Sequence, residues 1–295
     1  MIHYNNCPIC GSDKIRHYLY AVDHTVSHKQ FAVWYCENCT GMFTQDVPDE
    51  KEIGAYYRSE NYISHSDTQK GLVNSLYHRV RKITLKQKQK LIENINQGTT
   101  KRLLDIGAGT GAFAIHMQRA GWSVKGLEPD ASARNLAFQV NQVSLDPPDQ
   151  LYQFTPASFD VISMWHVLEH VHQLHGYLQQ ARKILKKGGH LVVAVPNYVS
   201  GDAGHYQQFW AAYDVPRHLY HFSPSSMKIL MQQHGFKIKK IKPMWFDSFY
   251  VSMLSEQYRT GKSQLVKAVL QGFSSNFSAL LKKENASSLV YIIES

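Results

Sequence analysis

The sequence predicts a doubly wound α/β domain with a small cysteine-bearing module ahead of it. Three observations carry this reading. Strand-like and helix-like stretches alternate from Lys101 onward, a glycine-rich turn joins the first of those strands to its helix, and all four cysteines fall within the first 39 of 295 residues. Alternation of this kind builds a parallel sheet with helices on both faces. The expected division is a module over residues 1–48, a helical connector over 49–98, and a main domain over 99–295 with a helical insertion at about 244–285.

The cysteines come as Cys7-Pro8-Ile9-Cys10 and Cys36-Glu37-Asn38-Cys39. Two C-x-x-C knuckles at this separation supply four thiolates for tetrahedral Zn²⁺, and a thiolate-only shell leaves no open position, so the metal is expected to be structural. A redox dithiol is the competing reading, but that motif is normally single and opens a helix, which neither pair does here. Phe31-Ala32-Val33-Trp34-Tyr35 is a β-prone run leading into the second knuckle, the pattern of a zinc ribbon. A module this small has little core of its own, so the folding free energy of a bound metal matters.

Composition narrows the class. Hydrophobic residues make up 43% and charged residues 19%, the balance of a globular chain and not a disordered one. Apolar runs such as Leu191 to Val195 are strand-length, so no membrane span is expected. The first residues lack a basic segment followed by an apolar one, and the expected location is the cytoplasm. The net charge of +9 favours an anionic partner only if it is concentrated on one face. Its densest run is Arg79, Arg81, Lys82, Lys86, Lys88 and Lys90, interleaved with Leu72, Leu76, Val80, Ile83, Leu91 and Ile95 at helical spacing. That pattern reads as an amphipathic helix with a solvated basic face, ahead of a nucleic-acid or membrane contact. Between the module and this helix, the stretch from Tyr56 to His65 holds three tyrosines and a histidine, read as packing against a neighbouring domain.

In the main domain, Arg102 to Ile106 reads as a buried strand, Gly107-Ala108-Gly109-Thr110-Gly111 as a tight turn, and Ala112 onward as a helix. Glycines there let the backbone approach a ligand closely. The next strand, Ser123 to Leu127, ends in Glu128, where an acid can accept both ribose hydroxyls of an adenosine. The glycines also satisfy a dinucleotide pattern, G-x-G-x-x-A. Asp105 tips the balance, because a carboxylate two residues before the first glycine repels a pyrophosphate and suits an ammonium group. A Walker-type phosphate loop is excluded, since no Gly-Lys-Ser/Thr follows.

Asp105 to Gly111 resembles the first motif of class I S-adenosylmethionine-dependent methyltransferases, and Glu128-Pro129-Asp130 their second acidic position. Ser158 to Met164 resembles the fourth strand, Trp165-His166-Val167-Leu168-Glu169-His170-Val171 the signature after it, and Lys186 to Pro196 the turn and fifth strand. The resemblance runs from about residue 100 to the end of the sequence. It implies a Rossmann-like methyltransferase sheet of seven mostly parallel strands in the order 3-2-1-4-5-7-6. Ser287 to Ile293 would then be the antiparallel strand, paired with Phe236 to Ile241. The implied cofactor is S-adenosylmethionine, held by Asp105, Gly107, Gly109, Gly111, Glu128, Pro129, Trp165 and His166, with Asp146 near the adenine. The module with this domain, together with Pro216 to Ser223, resembles a bacterial subgroup with an N-terminal zinc-binding segment, some of whose members act on sugars or secondary metabolites.

The chemistry this implies is alignment of an acceptor with an electrophilic methyl group. His166 is the preferred general base, because imidazole titrates in the useful range, with His218 and His221 as a second set. Asp214 and Arg217 read either as contacts to a polar substrate or as a surface ion pair. His170, His172 and His175 do not share one helical face, so no catalytic metal is expected from them. Pro196-Asn197-Tyr198 follows strand five, not strand four, which counts against methylation of a base amine. The expected acceptor is a small molecule, a sugar or other metabolite, methylated at oxygen or carbon. An RNA methyltransferase using the ribbon for substrate and a non-catalytic cofactor-binding module are the rival readings. The 244–285 insertion, opening with Trp245, Phe246, Phe249, Tyr250 and Leu254, reads as a lid or a homodimer surface.

Overall fold

The computed structural model describes residues 1–57, 72–96, 98–262 and 264–295. The expected contact stretch from residue 58 to 65 lies outside the described residues.

A six-stranded sheet forms the centre, built from β4 (Arg102–Ile106), β5 (Ser123–Leu127), β6 (Phe159–Trp165), β7 (Leu185–Pro196), β9 (Lys237–Pro243) and β10 (Ser288–Glu294) in the order β5-β4-β6-β7-β10-β9. β4, β5, β6 and β7 run parallel, and β10 lies antiparallel between β7 and β9. The inner strands β4 and β6 are buried along nearly their whole length and are mostly apolar, whereas the edge strand β5 exposes Ser123 and Lys125. Side chains alternate between the two layers. Leu104, Ile162, Met164 and Val193 meet α4 (Leu174–Ile184) and α6 (Pro224–Gln233) through Leu178, Ala181, Met227 and Leu230. Leu103, Val161, Val192 and Val290 meet α1 (Leu72–Ile95) and α2 (Ala112–Arg119) through Ile92, Phe113 and Met117. The α6 start is fixed locally by a capping box, Ser223 with Ser226, and by Pro224 in the first turn.

Among the described residues the sheet has six strands where seven were expected. The segment after α3 (Ala131–Asn141) makes a single parallel bridge, Leu127 with Asp146, through Asp146 N–H to Gly126 carbonyl (2.9 Å) and Glu128 N–H to Asp146 carbonyl (3.0 Å). Pro147 and Pro148 follow at once. They carry no N–H and constrain the preceding residue, which stops the ladder there.

The cysteine-bearing segment folds as β1 (Ile15–Val22), β2 (Gln30–Cys36) and β3 (Met42–Thr44) and is completed by a distant strand, β8 (Tyr220–His221), in the order β1-β2-β3-β8. Its buried Cys7, Ile9, Cys36, Cys39 and Phe43 share one apolar cluster with the central sheet and α6. Between β9 and β10 the chain forms α7 (Asp247–Thr260) and α8 (Leu265–Leu281), packed on each other; a short helix, α5 (Gly201–Tyr206), touches both. Close approach of α7 and α8 requires Gly272, where a Cβ would stand 2.5 Å from the Phe249 ring.

Candidate active site

The site is built at the carboxyl ends of β4, β5 and β6. Asp105, the fourth residue of β4, is 2% exposed and accepts a 2.6 Å hydrogen bond from Ser163 Oγ of β6. Burial pushes its carboxyl up to about 6, partly opposed by Ser163 and by the charge of Lys88. Gly107 turns the chain with φ of 74°, and any Cβ there would lie 2.3 Å from Val167 Cγ2, so only glycine fits. Gly109 is also left-handed, and a Cβ on it would face open space, which leaves its backbone approachable.

Glu128 closes the turn from β5. Its Oε2 accepts from Gly109 N–H at 2.8 Å and its Oε1 from Asp130 N–H at 3.0 Å, while burial pushes its carboxyl above the usual range. These bonds lock the carboxylate against the glycine turn. Pro129 is exposed beside it, its carbonyl held by Arg134. Asp146 lies alongside through its backbone bridge, with its side chain 3.9 Å from Lys125 Nζ.

The β6 end carries the second half. Trp165 packs edge-on to Phe113, with its Nε1 buried and without a hydrogen-bond partner. His166 takes a left-handed backbone (φ 57°), an uncommon conformation for a side-chain-bearing residue, and its N–H is fixed by the Ala194 carbonyl at 2.9 Å. Its imidazole spans two carboxylates: Nε2 is 2.9 Å from Asp247 Oδ2 and Nδ1 is 3.4 Å from Glu169 Oε1. Burial disfavours the imidazolium, but Asp247 first and Glu169 second outweigh it and hold the ring's pKa up to about 10. In return both carboxylates stay below their usual range despite their burial. In this arrangement His166 is a cation at neutral pH and not a free base.

One side chain expected on a solvated face is here instead. Lys88 of α1 turns inward, its Nζ 4.2 Å from the centre of the Trp165 ring and 5.7 Å from that of Phe113. Burial lowers its pKa, while Asp105 and Asp247 favour its charge. Its neighbours Lys82, Lys86 and Lys90 are exposed, as the helical pattern requires. An ammonium thus stands on an aromatic face within reach of two carboxylates, which marks the cleft as one that accepts a cation.

His218 stands behind Glu169 with His170, the ligand atoms of the three within 4.8 Å of one another, whereas His221 lies elsewhere. His221 is 3% exposed, burial lowers its pKa to about 3, and its Nε2 meets Thr44 Oγ1 at 3.1 Å. Since the Thr44 hydroxyl donates to the His218 carbonyl, the neutral imidazole donates to Thr44 and ties β8 to β3. His218 Nδ1 donates to the Ala212 carbonyl at 2.8 Å. Arg217 is 2% exposed and forms a buried ion pair with Asp214, close to Asp23 of the cysteine-bearing segment; it is neither at the surface nor in the cleft. His170 lies on His218 and donates to the Arg217 carbonyl, whereas His172 reaches Pro48 and His175 reaches Pro8 and His234. Lys88, Ser163 and Asp247 escaped the sequence reading. Only Ser163 had a signal, as the polar residue in an apolar strand beside Asp105.

The four cysteine sulfurs lie within 4.8 Å of one another, with Cys7 and Cys39 3.7 Å apart and Cys10 and Cys36 3.6 Å apart. A disulfide needs about 2.05 Å. Tetrahedral zinc with bonds of about 2.3 Å separates its sulfurs by roughly 3.8 Å. The donor set and its spacing fit the ion.

A family model for a methyltransferase domain matches residues 76–241. A demethylmenaquinone methyltransferase of Tropheryma whipplei (strain Twist) is 30% identical over 121 residues, 40% of this chain and 51% of that protein. A ubiquinone biosynthesis O-methyltransferase of Pelagibacter ubique is 29% identical over 161 residues, 50% of this chain and 65% of that protein. The chain therefore spans between about half and two thirds of these curated relatives. Among solved structures, a SAM-dependent methyltransferase of Archaeoglobus fulgidus superposes with a TM-score of 0.51 at 19% identity, covering 73% of this chain and 94% of that one. That likeness shows a shared fold.

Proposed function

The chain belongs to the family of methyltransferase domains, and from that premise we propose that it moves a methyl group from S-adenosylmethionine to an oxygen or carbon of a small-molecule acceptor. The observation that carries this is the pair Asp105 and Glu128, two buried carboxylates set either side of an approachable glycine turn. Glu128 suits the ribose hydroxyls. Asp105 and the Trp165 face suit a cationic group, a reading supported by the Lys88 ammonium 4.2 Å from the centre of that ring. When bound, the cofactor supplies an electrophilic methyl on a sulfonium.

The chain's own task is then placement. Proximity and orientation are worth roughly 7–11 kcal/mol, more than one positioned base supplies. His166, about a third exposed and clamped by Asp247 and Glu169, sets a fixed positive charge at the cleft that orients the acceptor. The Asp247 carboxylate, held ionised by His166, keeps the imidazolium in place, and the proton that a hydroxyl acceptor loses leaves to solvent. We assign no proton transfer to His218, whose Nδ1 is bonded to the Ala212 carbonyl, or to His221, bonded to Thr44 within the small sheet.

A small acceptor is favoured over RNA by what surrounds Asp247. Trp245, Phe246 and Tyr250 are exposed beside it in sequence, aromatic side chains suited to a small acceptor. The oxygen-directed name of the Pelagibacter relative supports oxygen as the acceptor atom. We read the four cysteines as a structural zinc site of the subgroup with an N-terminal zinc-binding segment. Incubation with methyl-labelled S-adenosylmethionine and, separately, a panel of hydroxylated small molecules or total RNA tests the acceptor class. Label in a small product supports the reading; label in RNA alone replaces it.

A further inference from the structure

The helix α8 is built inside out. It meets α7 and α5 through its small residues Ala268, Gly272, Ser275 and Ala279, all buried. Its large apolar residues point away: Leu270, Phe273, Phe277, Leu280 and Leu281 are between 61% and 79% exposed. On a 3.6-residue helix these five, with Val269, share an arc of roughly 120°. An ordinary surface helix shows the reverse, with bulk toward the core and polar groups outward. The apolar stripe also continues past the helix. Phe273 touches Phe249 of α7, Asn276 holds the Trp245 carbonyl at 2.9 Å, and Trp245, Phe246 and Tyr250 are exposed beside them. A patch of this kind marks a surface that meets something apolar.

Charge decides what that is. Lys267 flanks the stripe, Lys282 and Lys283 end it, and residues 283–285 lie on β9, whose Lys240 and Lys242 are near neighbours. Over residues 262–285 the sole acid is Glu284, 3.9 Å from Lys282. A two-fold contact between copies through α8 would place this cationic rim against itself. An anionic lipid surface would accept the rim in its headgroups and the Phe and Leu side chains in its acyl boundary, with Trp and Tyr at the interface. No described helix is long and apolar enough to cross a membrane, so α8 would lie in the surface plane.

We propose that α8 docks this protein on anionic lipid bilayers, with Leu270, Phe273, Phe277, Leu280 and Leu281 inserted and Lys282 and Lys283 on the headgroups. The patch begins at Trp245 and Phe246, directly before Asp247, so the docked surface adjoins the cleft. The test is sedimentation of the full chain with phosphatidylcholine vesicles containing phosphatidylglycerol, and with phosphatidylcholine alone. The wild-type chain pellets with the anionic vesicles and is released by salt. Phe273→Glu with Phe277→Glu, and separately Lys282→Glu with Lys283→Glu, each weaken binding more than about tenfold. All of these side chains are exposed, and an unchanged melting temperature confirms that the variants fold. Failure of the wild-type chain to pellet with anionic vesicles overturns the proposal, as does equal binding to both compositions. A dimer in analytical ultracentrifugation that Phe273→Glu dissociates, without vesicle binding, assigns the face to a second copy.

Discussion

His166 Nε2 and Asp247 Oδ2 stand 2.9 Å apart, joining the end of β6 to the first turn of a helix inserted between β9 and β10. The ring's pKa is thereby raised above the ordinary value of about 6.5 to about 10. Its sign follows from linkage: the stabilisation is fully present below the ordinary value and is lost as pH rises through the folded one. Asp247→Asn removes the largest stabilising partner. The His166 midpoint in an NMR titration should then fall toward the ordinary range, and turnover should drop by about 10²-fold or more. An unmoved midpoint would contradict the pairing.

The pKa of Asp105 is also raised, but here because burial penalises its anion. Burial pushes its carboxyl up to about 6, and the cofactor contact proposed for it uses the anion. Affinity should therefore weaken as pH falls through about 6, and binding near that pH should release a proton, measurable by calorimetry in buffers of different ionisation heat. Asp105→Asn should weaken binding about 10-fold or more and abolish the proton release. For stability the sign is reversed: the raised value disfavours the native state as pH rises from the ordinary carboxylate range to about 6, so the Asn variant should be no less stable at neutral pH.

Lys88 occupies the cation-accepting face of Trp165. Its ammonium competes with any cationic group of the cofactor, so Lys88→Met should tighten binding in a calorimetric titration. Weaker binding in this variant would mean that the lysine helps hold the cofactor.

The four-cysteine site should contain one zinc per chain in freshly purified protein. Cys7, Cys36 and Cys39 are buried in the cluster shared with the central sheet, so metal loss reaches beyond the module. A strong chelator should lower the melting temperature and Cys39→Ser should do the same, each cooperatively. Metal-free protein of unchanged stability would count against the site.

What was legible in the sequence was local. The strand, glycine turn and acid at Asp105 to Gly111 and at Glu128 lie within short stretches whose turn chemistry dictates one geometry, and the cysteine knuckles announce themselves by spacing. Lys88 was read as solvated because its neighbours in the basic run are, and helical periodicity does not reveal that one lysine reaches past Phe113 to Trp165. Asp247 comes from an insertion whose contact with β6 has no local trace. The histidines near Arg217 looked available for catalysis, but β8 joins the small sheet and buries them. A seventh strand was expected from the family order, and Pro147 with Pro148 ended it at one bridge.

The most direct measurement is calorimetric titration of S-adenosylmethionine into the wild-type chain and into Glu128→Ala. Glu128 is held by Gly109 and Asp130 N–H groups at the edge of the glycine turn. Saturable binding by the wild-type chain and a loss of about 100-fold or more in the folded variant is the expected result, since a buried carboxylate accepting two hydroxyls is a strong, charge-assisted contact. Equal affinity of the two proteins would contradict the assignment of the cleft.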